Sequence, residues 1–150
     1  SAKCSRLFIP SPRLCEILNR QQCRIDLSAD YASLVELEEF ISSTCCLPDS
    51  VRSRALLIAT EYFDNIVAHS RGSASCKVSV AVRPAEPPRI VIRYYTLNFR
   101  QMRRADRHTE PHYDFLSRRY RGLGLRMCRN LASSIEYRQG LFKSAIIITL

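Results

Sequence analysis

Two stretches of alternating apolar and polar residues, each doubling back through a turn, limit what this chain can fold into more than any other feature. The first runs Ser75-Cys76-Lys77-Val78-Ser79-Val80-Ala81-Val82 and returns as Arg89-Ile90-Val91-Ile92-Arg93-Tyr94, with Pro84, Pro87 and Pro88 between them. The second pairs 134–138 with 143–150 across Gln139-Gly140. Period-two alternation marks strands, and connections this short and turn-rich join antiparallel neighbours. Two such hairpins predict a sheet, and a sheet with an apolar face needs a cover.

Helical patterns supply that cover. Cys23-Arg24-Ile25-Asp26-Leu27 reads as one more strand, after which Ser28-Ala29-Asp30 offers a helix N-cap before the periodic Leu34, Leu37, Phe40 and Ile41. That spacing predicts an amphipathic helix of about four turns. Pro48 and Asp49 punctuate, and a second helix is expected from Asp49 to His69, with Ala55, Ala59, Tyr62, Phe63 and Ile66 on one stripe and Arg71-Gly72-Ser73 closing it. From about Asn98 to Arg121 no periodicity survives, which predicts a structureless span of the kind that serves as a lid or binding loop. Gly122 then opens a helix expected to reach about Ser133. The order strand, helix, helix, hairpin, long loop, helix, hairpin predicts a two-layer α/β sandwich with its helices on one face. Residues 1–20 read as an accessory arm with a short helix, and 21–150 as the single folded domain.

Composition agrees with one globular unit. The 150 residues are 46% hydrophobic and 25% charged, far from a disordered chain. No run approaches the ~18 apolar residues of a membrane helix, and the N-terminus has no secretory core, so the expectation is cytoplasmic with no membrane contact. Seven cysteines, without Cys-x-x-Cys or Cys/His ligand spacing, argue against a zinc site or a disulfide framework. The net charge of +9 is uneven: residues 1–99 carry 12 basic and 10 acidic side chains, residues 100–150 carry 11 and 4. Such an excess suits nucleic acid, an acidic protein surface or phosphates. Without interleaved aromatics or a basic helix, nucleic acid is the least favoured of the three.

Glu61, Asn65 and His69 recur every four residues, each turned only ~40° from the last on a helix of ~3.6 residues per turn. They form a polar line along the margin of the apolar stripe. A carboxylate there can take a proton and a carboxamide can ligate a hard cation such as Mg²⁺, although a solvated helix edge has the same pattern. Arg121-Gly122-Leu123-Gly124-Leu125 places glycines where a loop becomes a helix, and there backbone amides can approach an anion.

The run Ala55 to His69, with its Glu-x-x-x-Asn-x-x-x-His pattern, resembles the N-box of the anti-sigma-factor serine kinases of the GHKL (histidine kinase-like) ATPase superfamily. Gly122-Leu123-Gly124-Leu125 resembles the family's second glycine box. The likeness extends to element order from about Arg24 to Leu150 and implies a Bergerat-type fold with a mixed, mostly antiparallel sheet. It implies ATP and Mg²⁺ as cofactors, Glu61 as catalytic base and Asn65 as metal ligand. Gly122 through Leu125 would be the lid hinge meeting the phosphates, with His69 and Arg121 as further contacts. It also implies a bacterial regulatory protein that binds a sigma factor or an anti-anti-sigma factor, with a homodimer as a further expectation by analogy.

One departure divides that expectation. Where the family carries Asp-x-Gly to hold adenine, this sequence has Tyr94 and Thr96. A buried adenine amino group without its acceptor loses about 1–3 kcal/mol. Two readings follow: a regulatory protein with ATP-dependent serine kinase activity, or a degenerate, non-catalytic interaction module that no longer binds ATP.

Overall fold

The computed structural model describes residues 23–44, 47–69, 76–95, 112–114, 119–121 and 123–150. They form a mixed α/β structure of a five-stranded antiparallel sheet, three helices and a separate two-stranded ladder. In chain order these are β1 (Cys23–Ser28), α1 (Ser33–Ser43), α2 (Asp49–His69), β2 (Lys77–Arg83) and β3 (Arg89–Tyr95). Then come β4 (His112–Asp114), β5 (Arg119–Arg121), α3 (Leu123–Leu131), β6 (Ser134–Arg138) and β7 (Lys143–Thr149).

The main sheet has the order β1-β2-β3-β7-β6, and every ladder in it is antiparallel. Both expected hairpins are present. β7 lies between β3 and β6, so the second hairpin adds its later strand to the first. The register sets Val82 opposite Ile90, Ile90 opposite Ile148 and Ile148 opposite Ile135. Because side chains alternate along each strand, Val78, Val80, Val82, Ile90, Ile92, Tyr94, Ile146 and Ile148 all turn to one side. There they join Leu37 and Ile41 of α1, Ile58, Tyr62, Phe63 and Ile66 of α2, and Leu125 and Cys128 of α3 in one buried cluster.

Three local expectations need correction. The first helix has 11 residues, about three turns rather than four. Its start slips because Asp30 acts one turn early: Asp30 Oδ1 accepts hydrogen bonds from Ser33 N at 2.9 Å and Ser33 Oγ at 3.0 Å, and Tyr31-Ala32 are spent in a turn. The second hairpin is joined by 139–142 rather than by Gln139-Gly140 alone, since the first residues of β7 pair only with β3, through Tyr94↔Ser144 and Tyr95↔Lys143. The span 98–121, expected to be structureless, contains the β4–β5 ladder, with His112 opposite Arg121. The Arg71-Gly72-Ser73 stop and the accessory arm 1–20 fall outside the described residues. Among the described residues no helix is long and apolar enough to cross a membrane.

Candidate functional site at the contact of α2 and α3

α2 carries the polar line and buries more residues than the other described helices. It starts after Pro48, with Arg52 N donating to the Pro48 carbonyl at 2.8 Å and the Arg52 guanidinium reaching Asp49 Oδ1 at 2.7 Å. Its inward stripe, Ala55, Ala59, Tyr62, Phe63 and Ile66, is buried as expected, and Ile58 joins it. Glu61, Asn65 and His69 are half-buried along the margin. Tyr62 fixes that margin against the sheet: its hydroxyl lies 3.0 Å from the Tyr137 hydroxyl on β6, and the two rings stand 6.4 Å apart. No sequence signal links those two tyrosines, since 75 positions separate them.

Glu61 and Gly124 meet. A Cβ placed on Gly124 would run into the Glu61 carboxylate, at Oε2 first and then at Cδ. Gly124 does not have a positive φ, so the glycine is needed for space rather than for backbone freedom. Leu123 and Gly124 are the first two residues of α3, so the carboxylate rests against a helix N-terminus, where partial positive charge favours an anion. The anion that this glycine admits belongs to the chain itself.

The other end of α3 is held from the same helix. Arg54 donates to the Leu131 carbonyl at 3.4 Å, a long bond. Arg54 and Glu61 are separated by seven residues, as are Leu131 and Gly124, so α2 and α3 run antiparallel with a cation at the C-terminal end of α3 and an anion at its start. Both charges have the favourable sign for the helix dipole. Asn65, one turn beyond Glu61, donates its side-chain amide to the Glu61 carbonyl at 2.9 Å. That bond leaves the Asn65 carbonyl oxygen for other use, which is the orientation a cation ligand needs.

Leu125 is buried and Leu123 half-exposed, the pattern of a helix seated by one face. Arg121 is the last residue of β5, its side chain lying with Gly122 and Thr96 outside the described residues. Among the described residues, no group of three or more His, Cys, Asp or Glu side chains is placed to hold a metal ion.

Tyr94, which the resemblance sets against the family's adenine-binding Asp, faces inward from β3 and is only 4% exposed. It belongs to the apolar cluster under the helices. Its hydroxyl is buried without a hydrogen-bond partner, and burial pushes it well above the ordinary tyrosine value of 10.0. The ring fills the space beneath the helices and leaves a neutral hydroxyl there. The residues present do not fit adenine at this end, whereas Glu61, Asn65 and Gly124 remain grouped at the other. No family model matches the chain, and no curated protein matches its sequence.

Proposed function

We propose that this chain is a regulatory, partner-binding domain of the anti-sigma type on a histidine kinase-like scaffold, acting by protein contact rather than through ATP held in the family's usual way. The observation that carries this reading is Tyr94, buried to 4% exposure in the apolar cluster where the resembled family places its adenine acceptor. The element order, with the helices packed on one face of the sheet, supports the GHKL part of the reading. The placement of Glu61 against Gly124 supports it as well, because it brings two distant motifs together. The surface supports a protein partner: Leu141 and Phe142 at the β6–β7 turn are 93% and 79% exposed, and adjacent apolar side chains held out in water suit contact with another protein. The partner class implied by the resemblance is a sigma factor or an anti-anti-sigma factor.

The test is thermal denaturation with millimolar ATP and Mg²⁺, beside calorimetric titration with the sigma and anti-anti-sigma factors of the same genome. Any ligand that binds the native state must raise its stability. The expected result is an unchanged midpoint with nucleotide and saturable binding of one protein. A midpoint raised by several degrees with Mg-ATP would sink the nucleotide-free reading.

A second reading keeps serine kinase activity with the nucleotide base held differently. The specific observation in its favour is the grouping of Glu61, Gly124 and the Asn65 carbonyl oxygen at one margin of α2. Transfer of radiolabelled phosphate to a candidate anti-anti-sigma factor, lost in Glu61→Gln, would establish it.

A further inference from the structure

The described residues expose seven large apolar side chains, and these do not scatter. Leu141 and Phe142 form the β6–β7 turn, and Tyr95 lies beside it, opposite Lys143. The other four make two pairs of residues four apart. Tyr31, in the turn leading into α1, goes with Val35, which is 60% exposed; Leu123, 50% exposed, goes with Met127 on α3. Four-residue spacing keeps each pair on one side of its helix. On α1 that side is opposite the buried Ser33, Leu37 and Ile41, and on α3 it is opposite Leu125 and Cys128.

The two outer sides carry opposite charge. α1 has Glu36, Glu38 and Glu39 and no basic residue, while α3 has Arg126 and Arg129 and no acidic one. Glu38 and Glu39 are exposed one turn beyond Val35, and Arg126 is exposed between Leu123 and Met127. Among the described residues, none of Glu38, Glu39 and Arg126 forms an ion pair. Each face thus joins an apolar pair to a charge that nothing in its own chain answers, and each has the charge that the other lacks.

Their placement lets one copy answer another. α1 and α3 both pack on α2, which lies between them. Both also start at the same end of the sheet. α1 follows Ser28, which pairs with Lys77. The start of α3 meets Glu61, and the neighbouring Tyr62 bonds Tyr137, next to Arg138. Arg138, Ala145, Arg93 and Ser79 share one row across the sheet, two residues from Lys77. α3 then ends where Ser133 N donates to the Thr149 carbonyl, at the opposite end of β7. A two-fold rotation about an axis along α2, above the helices, carries α1 of one copy over α3 of the other and keeps both starts level. Tyr31 and Val35 then face Leu123 and Met127, Glu38 and Glu39 face Arg126, and the symmetry makes the contact twice.

We infer that the chain forms a two-fold dimer through its helix layer, with the outer side of α1 in one copy docked on the outer side of α3 in the other. Both halves of the complementary pair are on this one chain, which is why the occupant of each face is a second copy. The inference does not rest on the nucleotide or sigma-factor reading. Because Leu123 adjoins Gly124, the second copy also covers the start of α3, where Glu61 rests.

The test is sedimentation equilibrium of the full chain as wild type, as Arg126→Glu, as Glu38→Arg with Glu39→Arg, as all three changes in one chain, and as an equal mixture of the first two variants. Every substitution falls on an exposed position, so far-ultraviolet circular dichroism is expected to stay that of wild type. The wild type is expected to be a dimer that weakens as salt screens the charges. Each charge reversal sets like charges against each other and weakens self-association by at least about tenfold. The mixture is expected to form a dimer of one chain of each kind, and the triple variant to dimerise alone, because both restore opposite charges at both contacts. A wild type that stays monomeric up to about 1 mM, self-association untouched by either reversal, or a mixture that stays monomeric overturns the proposal. A mass that keeps growing with concentration overturns it equally, since a head-to-tail contact would then have replaced the closed pair.

Discussion

Tyr94 and Gly124 decide most of what the site can do, and each does so through one missing interaction. The Tyr94 hydroxyl is buried with nothing to bond, so deleting it removes a penalty. Tyr94→Phe is expected to raise stability by about 1–2 kcal/mol, measured as a shifted urea midpoint at constant slope. The same group sets an alkaline limit. Its folded value lies above 10.0, so the unfolded chain releases this proton first. The Tyr94 contribution is whole below pH 10 and is lost as pH rises toward the folded value, a dependence that Tyr94→Phe removes. Gly124 lacks a side chain because the Glu61 carboxylate occupies the space. In wild type, Gly124→Ala must push aside the end of a flexible side chain, so its helix-propensity gain is offset. In a Glu61→Ala background, the same change is expected to stabilise by up to ~1 kcal/mol, and a double-mutant cycle of denaturation midpoints reads the difference. Four-residue spacing on α2 and glycines at the start of α3 were legible in the sequence. Their contact was not, since it depends on how two helices 60 residues apart cross, and neither was the Tyr62–Tyr137 bond.

At the level of elements, α2, β2, β3, β6 and β7 were readable within a residue or two because each carries a sustained apolar pattern between clear turn residues. Failures occurred where a side chain or a short pairing overrode the pattern. Asp30 was correctly seen as a cap, but it caps a turn whose backbone bond runs from Leu34 N to the Tyr31 carbonyl at 3.3 Å, and the helix proper waits until Ser33. Asp30→Ala is expected to cost about 1 kcal/mol and to loosen amide exchange at Ser33 and Leu34 while leaving α2 protected. The β4–β5 ladder escaped notice because His112-Tyr113-Asp114 and Arg119-Tyr120-Arg121 are three residues each, too short for alternation to register. The antiparallel run of α2 against α3 gives Arg54 and Glu61 a joint task, one charge at each end of the shorter helix. A catalytic glutamate and a structural one would look the same in sequence. They separate in experiment, because only the structural role predicts that Glu61→Gln weakens α3 in amide exchange without any nucleotide present.

Across the whole molecule, the decisive feature is that the last strand is not an edge. β7 pairs with β3 on one side and β6 on the other, while β1, from the start of the described chain, is bonded to β2. The core is therefore closed by contacts between segments far apart in sequence, which the sequence announces only as two separate hairpins. Non-local closure of this kind makes the parts depend on one another. Ile148 sits at the centre of that closure, fully buried between Ile90 and Ile135. Truncating it removes apolar contact with both hairpins and leaves a cavity beneath the helices. Ile148→Ala is expected to cost 2–5 kcal/mol, and the loss should be shared by every element rather than confined to the C-terminal hairpin. The chain has no tryptophan but seven tyrosines, among them Tyr62 on α2 and Tyr137 on β6. Tyrosine fluorescence and far-ultraviolet circular dichroism should thus report one coincident transition in wild type and in Ile148→Ala, with the midpoint moved and the slope kept. Two separated transitions in the variant would mean that the second hairpin can leave while β1, β2, β3 and the first two helices stay folded, and the sheet would then be two units rather than one.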